Sequence, residues 1–428
     1  MSFQQGLSGL NASSKNLDVI GHNIANANTT GFKSSRAEFA EMVASNLGTS
    51  GSKNAGIGVE VAAISQQFTQ ANFAITGNSL DVAINGNGFF KLQQTDGTPA
   101  YTRAGNFKLD TNGSLITNNA DKVMGYPIDP STGLRTSTDP IPLVFPTAEP
   151  IAAKQTATIT ASLNLDARVT DAVGNPAAVP PVAATPRATY GTSLNIYDSQ
   201  GVAKPVNLYF QKNGANTWDV YDTLDDATAV PPVVASPIGT VGFDNNGAID
   251  PTKTVSNGVA TPGSALTLTV NPTPPNPNNL PSFPVSVSLE KMTQFGTKFA
   301  VSDLTQDGYT AGELTGINIE ANGMIQTRYS NGVTRAEGQV ALANFRNTQG
   351  LAPVGGNNWI ETFESGQAVL GTPTDGSFGE LRSGALEDSN VDLTAELVNM
   401  MTAQRAYQAN AQTIKTQDQV MSTLVNLR

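Results

Sequence analysis

The sequence contains no cysteine and a single histidine, His22, in 428 residues. Without cysteine there is no disulfide, no thiolate nucleophile and no cysteine-ligated zinc site. One histidine excludes a metal site with several histidine ligands from one chain, and a Ser-His-Asp triad would have to use His22. These absences argue against the common catalytic chemistries, so we expect no enzyme, no cofactor and no metal.

Charge and long apolar runs are also scarce. Only 14% of the residues are charged, and 24 basic against 35 acidic side chains give a net charge of −11, so the basic stripe of a nucleic-acid-binding protein is missing. No apolar run is long enough for a membrane-spanning helix, and we expect no membrane insertion. The amino terminus lacks the basic start and apolar stretch of a cleavable secretory signal. The chain is therefore expected to be cytosolic or exported without cleavage.

What the sequence does contain is a helical pattern at each end. Over residues 3–28, apolar side chains recur at steps of four and three, with Ser14 and Gly21 at the remaining seam positions. This 3.5-residue period is typical of the seam along which coiled-coil helices contact each other, and Gly31 is a plausible stop. The predicted seam residues are Phe3, Leu7, Leu10, Leu17 and Ile24.

The pattern returns over residues 391–428, which contain no proline and no glycine. Asp392 is the predicted N-cap, and Glu396 in the first turn is favoured by the helix dipole. Gln404 and Asp418 occupy the polar positions of this second seam. Its apolar residues are Leu393, Leu397, Met400, Tyr407, Ala411, Ile414, Met421 and Val425.

Between the helical ends the sequence has the pattern of β-structure. Short runs of Val, Ile, Thr, Phe and Tyr are interrupted by Asn-Gly and Asp-Gly pairs, for example Asp96-Gly97 and Asn112-Gly113. Such pairs supply the positive φ angles of tight hairpin turns. We therefore predict an α+β multidomain protein with mostly antiparallel β outer domains and N- and C-terminal coiled-coil helices that form a core domain.

Changes in composition suggest domain boundaries. Proline clusters such as Pro272 to Pro284 do not suit central strands, and the first and last clusters bracket strand-like segments that we take as an inserted domain. Residues 31–70 and 365–390 are rich in Ser, Gly and Asn and show little periodicity. The predicted division is a helical core domain (1–30 and 391–428), connectors (31–70 and 365–390), an inner β domain (71–146 and 285–364) and an inserted outer β domain (147–284).

Motifs that could carry chemistry have simpler explanations. His22 lies in the first helical stretch with Asn26 four residues later, so it is expected to be a surface or interface residue rather than a ligand. The turns that begin at Asp110 and Asp244 resemble the start of a calcium loop, but neither continues to the required glutamate. No Walker A pattern and no Gly-x-Ser-x-Gly elbow is present. Scattered carboxylates are expected to be solvated loop residues.

An apolar seam on a helix needs a partner that shields it from water. Residues 1–30 and 391–428 each carry equal numbers of basic and acidic side chains, so copies can stack without repulsion. The two ends either pair as a closed hairpin within one chain or pack against other copies. In a lone two-helix hairpin, roughly 1 kcal/mol per buried seam residue is offset by about 1 kcal/mol of backbone entropy per ordered residue. We expect ends that are loose in the monomer and ordered in a polymer.

Several long motifs, in order along the chain, resemble those of the bacterial flagellar rod and hook proteins. The resemblance covers roughly residues 1–145 and 285–428. The amino-terminal signature includes Asn26, Asn28, Thr29, Thr30, Gly31 and Phe32. The motifs are Asn23–Lys33, Leu80–Phe90, Tyr101–Phe107, Asn390–Met400, Gln404–Tyr407 and Ile414–Asp418.

This resemblance implies a structural protein. Such a chain would be exported unfolded, without a cleaved signal peptide, by the flagellar type III export apparatus. It would polymerise extracellularly, under the hook cap protein, into the short curved tube of the hook. The helices would line the inner core, and the tube would be a universal joint that transmits torque from rod to filament. The implied partners are other copies of the chain, the distal rod protein, the hook cap protein and the hook–filament junction protein.

Two alternatives remain open at this point. Another flagellar axial protein is possible, but a distal rod protein is shorter and lacks a large insertion, and junction proteins usually lack the β motif at 80–90. A secreted β-rich enzyme or adhesin with coiled-coil ends is the second. Turnover of a polysaccharide or peptide would favour that enzyme.

Overall fold

A computed structural model provides the three-dimensional structure of the chain. Most of the proline-rich segments, which were predicted to be surface loops or edges, fall outside the described residues. The structure describes residues 2–43, 56–129, 132–145, 150–171, 173–175, 182–185, 190–224, 235–256, 259–260, 265–270 and 281–426.

The two helices lie at the chain ends, α1 at Ser2–Ala25 and α2 at Leu393–Asn426. Asp392 caps α2 as predicted, because its carboxylate accepts hydrogen bonds from the backbone N–H groups of Thr394 and Ala395 at 2.9 and 3.1 Å. The helices pack against each other within one chain, and a β-hairpin also packs on α1. Within the chain, α1 therefore has a partner besides α2, which a lone two-helix hairpin lacks.

The rest of the described chain consists of short strands joined by turns, loops and a 3-10 helix at Thr348–Gly350. In order they are β1 (Ser35–Val43), β2 (Gly56–Gln66), β3 (Phe73–Ile75), β4 (Val82–Asn85), β5 (Phe89–Gln93), β6 (Pro99–Thr102), β7 (Lys108–Leu109), β8 (Leu115–Ile116), β9 (Lys122–Pro127), β10 (Ile141–Pro142), β11 (Thr158–Asp166), β12 (Val173–Asn175), β13 (Val182–Thr185), β14 (Gly191–Tyr197), β15 (Ala203–Lys212), β16 (Thr217–Tyr221), β17 (Gly239–Gly242), β18 (Val255–Ser256), β19 (Val259–Ala260), β20 (Ala265–Val270), β21 (Phe283–Ser288), β22 (Thr293–Phe295), β23 (Ala300–Gln306), β24 (Leu314–Ile319), β25 (Met324–Tyr329), β26 (Thr334–Val340), β27 (Leu342–Asn344), β28 (Ala352–Gly355), β29 (Asn358–Ile360), β30 (Val369–Gly371), β31 (Glu380–Ser383) and β32 (Ala385–Glu387).

The segments predicted to be connectors contain regular structure. Within 31–70, β1 and β2 form an antiparallel hairpin with Ser35 opposite Gln66. Within 365–390, β31 pairs with β4 and β32 pairs with β3. Both segments therefore contain strands, although their sequences show little periodicity. Val59, Val61 and Ala63 alternate along β2, but both register irregularities place the extra residue in β2 and interrupt this alternation.

One compact unit of the chain comprises Met1–Ala148, Leu314–Arg328 and Thr334–Arg428. Its main sheet has 13 described strands, eight of them in the order β24-β25-β26-β9-β5-β6-β29-β28. Strands distant in sequence are neighbours there: β26 pairs with β9, and β27 pairs with β5. The packed side chains of Phe90, Phe107 and Leu342 lie in its apolar core.

The second compact unit comprises Glu149–Glu313 and Tyr329–Val333. Strands β14 to β19 form one sheet in chain order, and β11 with β20 to β23 forms another. Apolar residues of both sheets, among them Leu163 and Trp218, share one core. The prediction of mostly antiparallel pairing is confirmed, although β11 pairs in parallel with β21 and β22.

The second unit extends further along the chain than the predicted insertion. Residues 285–313 belong to it, whereas the sequence division assigned 285–364 to the inner β domain. The physical reason is the long-range pairing of β11 with β21, β22 and β23. Alternation along Phe283–Ser288 predicts a strand but does not reveal which sheet the strand joins.

Candidate functional site

Half of the predicted seam residues whose side chains are described are exposed rather than packed between α1 and α2. The side chain of Val425 lies outside the described part of the structure. The exposed seam residues are Phe3, Leu7, Leu393, Leu397, Tyr407 and Met421. The half-buried ones are Leu10, Leu17, Ile24, Met400, Ala411 and Ile414.

Small residues on α1 make the contact with α2 instead. A Cβ atom placed on Gly9 would lie 2.8 Å from Nδ2 of Asn410, and one placed on Gly6 would lie 3.2 Å from Cγ1 of Ile414. Asn410 Nδ2 also donates a 3.4 Å hydrogen bond to Ser13 Oγ. Because glycine has no side chain, the helices can approach closely along this face. The face of α1 that packs within the chain is therefore different from its predicted apolar seam.

Large apolar side chains remain in water on both helices. Leu397 is 47% exposed and Met401 is 51% exposed, although both lie in a well-formed helix. Val398, Met401 and Val420 were not among the predicted seam residues. We call the exposed apolar set the helix surface: Phe3, Leu7, Leu393, Leu397, Val398, Met401, Tyr407, Val420 and Met421.

The amino-terminal signature lies where α1 meets the β-structure. Gly31 has a φ of +69°, and a Cβ there would lie 2.6 Å from the backbone nitrogen of Ala104, so this position requires glycine. Thr29 Oγ1 donates to Asn26 Oδ1 at 3.3 Å, and the carbonyl of Thr30 accepts from Asn357 Nδ2 at 2.9 Å. Among the other signature residues, Phe32 is buried and Asn28 is exposed.

Asn23, which is buried, and Asn390, which is half-buried, each use the side-chain amide to pair with backbone N–H and C=O groups, as a neighbouring strand would. Asn23 Oδ1 accepts from the N–H of Ser35 at 2.9 Å, and Asn23 Nδ2 donates to the Ser35 carbonyl at 2.8 Å. Asn390 Oδ1 accepts from the N–H of Ser34 at 2.7 Å, and its Nδ2 donates to the carbonyl of Gln67 at 2.7 Å. These amides attach the hairpin to both α1 and the start of α2.

A buried ion cluster lies beside them. Lys33 Nζ lies 2.6 Å from Glu387 Oε1, and Arg103 NH1 lies 3.4 Å from Glu387 Oε2. Burial lowers the pKa of Lys33, an effect that the Glu387 carboxylate opposes. Burial likewise lowers the pKa of Arg103. Lys33, Arg103 and Glu387, with Asn23 and Asn390, form what we call the signature cluster, which joins both helices, the hairpin and the main sheet.

Sequence reasoning missed Glu387 because nothing local distinguishes it from a solvated carboxylate. Lys33 and Arg103 belong to the motifs that carried the family resemblance, but the sequence does not say whether they are buried or which acidic residue is their partner. Only the pairing of β32 with β3 brings Glu387 to this place.

Among the described residues, no group of three or more His, Asp or Glu side chains could hold a metal ion. The Asp110 carboxylate accepts hydrogen bonds from the N–H groups of Asn112 and Ser114, both at 2.8 Å, as in a tight turn. Neither described helix is long and apolar enough to cross a membrane.

Four family models match successive parts of the chain. Residues 3–33 match the flagella basal body rod protein, and residues 83–165 match the D1 domain of the flagellar hook protein FlgE/F/G. Residues 164–309 match the D2 domain of the flagellar basal body protein FlaE, and residues 382–427 match the carboxyl-terminal region of the flagellar basal body rod FlgEFG protein.

Full-length relatives and one solved structure agree with these matches. The flagellar hook proteins FlgE of Salmonella typhimurium and Escherichia coli are each 43% identical, with all of both chains covered. That of Borreliella burgdorferi is 33% identical over all of this chain and 99% of its own. The crystal structure of Helicobacter pylori flagellar hook protein FlgE2 matches with a TM-score of 0.53 at 16% identity. It covers 73% of this chain and 100% of its own, and it shows a shared fold.

The paired terminal helices, the β-rich units and these matches define a flagellar axial protein, a class of structural subunits. Within that class, the relatives match along the whole chain, insertion included. The chain belongs to the flagellar hook protein FlgE family and is a structural subunit of the bacterial flagellar hook.

Proposed function

We propose that the helix surface is the contact by which copies of this chain form the core of the hook tube. The observation that carries the proposal is the set of large apolar side chains that are exposed on two ordered helices. Four of them, Leu393, Leu397, Val398 and Met401, lie within the first nine residues of α2, and such a cluster of exposed apolar side chains marks an interaction site. Burying the exposed part of each such side chain contributes roughly 1 kcal/mol, and each subunit uses the surface in two directions, towards its neighbours on either side.

The half-buried seam residues complete this core. Leu10, Leu17 and Ile24 lie beside the small-residue face of α1, so a neighbouring helix can reach them. The predicted seam therefore remains our proposal for the polymer contact. A head-to-tail contact that does not close on itself generates a helical polymer.

The tube would act as a universal joint, with stiff packed helices inside and β domains that slide against each other outside. Weakly charged surfaces favour sliding because they lack strong ion pairs that would hold one curvature, and only 14% of this chain is charged. Introducing charged side chains on the exposed face of the second unit, for example at Val202, should therefore change the bending stiffness. Unaltered stiffness would argue against this part of the proposal.

Membership of the hook protein family supports a proposal for the wider assembly. The chain would leave the cell by the flagellar type III export apparatus without loss of a signal peptide and assemble extracellularly under the hook cap protein. It would meet the distal rod protein at one end of the hook and the hook–filament junction protein at the other. The role is structural, without catalysis, a cofactor or a nucleic-acid partner.

Substitutions on α2 test the polymer contact. Leu397→Asp and Met401→Asp place a charge on the helix surface without disturbing the packed face, so the monomer should unfold within about 0.5 kcal/mol of the unsubstituted chain. Negative-stain electron microscopy should then show no tubes. Leu397→Met is the matched control and should form them. Normal tubes from the Asp variants would overturn the proposal.

A further inference from the structure

The described part of the chain contains seven asparagines that are followed directly by glycine. In such a pair the backbone nitrogen of the glycine can attack the side-chain amide of the asparagine, because glycine has no Cβ to shield that nitrogen. The reaction needs an amide that is free to turn and a glycine N–H that is not bound elsewhere. The seven asparagines are Asn85, Asn87, Asn112, Asn213, Asn246, Asn322 and Asn331.

Hydrogen bonds hold the side-chain amides of four of them, Asn85, Asn213, Asn322 and Asn331. Asn331 shows the arrangement most completely. Its Nδ2 donates to the carbonyl of Thr310 at 2.6 Å, and its Oδ1 accepts from the N–H of Val333 at 3.0 Å. An amide held in this way has to give up its hydrogen bonds before its carbon can meet the following nitrogen.

The other three, Asn87, Asn112 and Asn246, are exposed, and their side-chain amides bind no described residue. At Asn112 the attacking nitrogen is nevertheless engaged, because the N–H of the following glycine donates to the carbonyl of Asp110 at 3.1 Å. The Asp110 carboxylate also accepts the N–H of Asn112 itself at 2.8 Å, and a nearby negative charge opposes loss of a proton. The turn at Asn246 repeats this arrangement around Asp244.

The surroundings of Asn87 favour the reaction instead. The N–H of Gly88 donates to no described residue, whereas the carbonyl of Asn87 accepts the N–H of Gly379 at 2.8 Å. When a peptide nitrogen loses its proton, the negative charge is shared with the carbonyl oxygen of the same peptide. A donor already placed at that oxygen therefore stabilises the reactive form of the Asn87–Gly88 peptide.

Arg103 adds a positive charge beside the same peptide. Its NH2 donates to the carbonyl of Gly86 at 2.9 Å, and its guanidinium carbon lies 5.2 Å from the centroid of the Phe89 ring. These contacts are to the residues immediately before and after the Asn87–Gly88 pair. Since the Arg103 side chain is buried, its charge is weakly screened and lowers the cost of forming an anion there.

We propose that Asn87 is a site of spontaneous deamidation in the folded chain. The Gly88 nitrogen gives its proton to water and attacks Cγ of Asn87, and the new C–N bond displaces the side-chain nitrogen as ammonia. Water then opens the cyclic imide at either carbonyl and leaves aspartate or isoaspartate at position 87. The net change consumes one water and releases one ammonia, so no oxidant or further reactant is needed.

The product carries a new negative charge beside the signature cluster. Arg103 Nε is buried and has no hydrogen-bond partner among the described residues, so a donor is available to the new carboxylate. The modification belongs to the single chain and is independent of the proposed polymer contact.

Peptide mapping by mass spectrometry in isotopically labelled water tests the site, because each deamidated position retains one labelled oxygen. The full-length chain is kept folded in mildly alkaline buffer, and a urea-unfolded sample sets the time in which every asparagine–glycine pair reacts. Label should appear at Asn87 about fivefold faster than at Asn112, where a hydrogen bond has to be broken first. Asn85, two residues away, is the matched control and should stay unlabelled. An Asn87 amide that survives in the folded chain as long as that of Asn85 would overturn the proposal.

Variants at Arg103 test the electrostatic cause. Arg103→Gln removes the cation and should lower the ratio of labelling at Asn87 to that at Asn112 severalfold. Arg103→Lys keeps a positive charge and should restore much of the ratio. Both positions are measured in one sample, so a general change in reactivity cancels, and circular dichroism shows whether each variant is folded. An unchanged ratio in folded Arg103→Gln would contradict the role of the cation, and the unsubstituted chain decides the site whether or not the variants fold.

Discussion

Lys33 Nζ lies 2.6 Å from Glu387 Oε1, and neither side chain is exposed to solvent. The two residues are separated by most of the chain, yet this pair holds the exit of α1 to the strand that precedes α2. Glu387 Oε1 also accepts a 3.1 Å hydrogen bond from the N–H of Ala71. The Arg103 guanidinium is its second cationic partner. The Lys33–Glu387–Arg103 cluster is therefore an electrostatic connection between the helices and the main sheet.

Replacing Lys33 by methionine should destabilise the first unit by about 3–5 kcal/mol, because it removes a close cationic partner from a fully buried carboxylate. Urea unfolding of the monomer measures the change. Lys15→Met is the control, since the Lys15–Asp18 pair is exposed and 3.6 Å long and is worth at most about 1 kcal/mol. Similar losses in the free energy of unfolding for both variants would mean that the buried Lys33–Glu387 pair stabilises the fold no more than an exposed pair does.

Replacing Gly31 by alanine should cost more than the same change at Gly97. Both glycines have positive φ angles, +69° and +89°, so each change carries the strain of a left-handed residue, about 1 kcal/mol. Only at Gly31 does the new Cβ also meet backbone, at 2.6 Å, whereas nothing lies within 4 Å at Gly97. The difference in thermal unfolding between the two variants isolates the close approach to Ala104. Equal effects would contradict that approach.

Replacing Asn23 by alanine should destabilise the monomer by about 2–3 kcal/mol, because the N–H and C=O groups of Ser35 both lose their partner. Hydrogen exchange should then show faster exchange of the Ser35 amide. Asn28→Ala changes an exposed amide of the same signature and should have little effect on either measurement. Unchanged protection of Ser35 in Asn23→Ala would show that the asparagine does not hold the hairpin.

Acid stability of the second unit should depend on Asp166. Hydrogen bonds from the Arg168 guanidinium and backbone lower the pKa of Asp166 from 3.8 to about 2. A carboxyl whose folded pKa is depressed stabilises the fold above the unfolded pKa and loses that contribution as the pH falls through the folded pKa. The fold should therefore weaken between about pH 4 and pH 2, and Asp166→Asn should flatten this part of the profile. An unchanged profile, or an NMR titration of Asp166 near 3.8, would contradict the assignment.

The sequence predicted the kinds of structure present and their order. Both terminal helices, the Asp392 cap and the β character of the middle follow from local rules of periodicity, capping and turns. The function followed from motifs, because long ordered matches at both ends identify the family. These features depend on residues close together in the chain.

The features that could not be predicted depend on distant partners. Residues recur at similar spacing on two faces of α1, and periodicity does not say which face packs on α2. Gly6 and Gly9 make the contact within the chain because they let Asn410 and Ile414 approach. Likewise, the assignment of β21 to the second unit and of Glu387 to Lys33 follows from strand pairing across the chain.

The most direct measurement is the structure of the assembled tube by electron cryomicroscopy, with side chains resolved on α1 and α2. The account predicts that these helices line the inner wall and that Leu397 and Met401 lie within about 4.5 Å of apolar atoms of a neighbouring copy, the distance that defines packed side chains. A tube in which the helix surface faces solvent, or in which the helices lie at the outer radius, would contradict it.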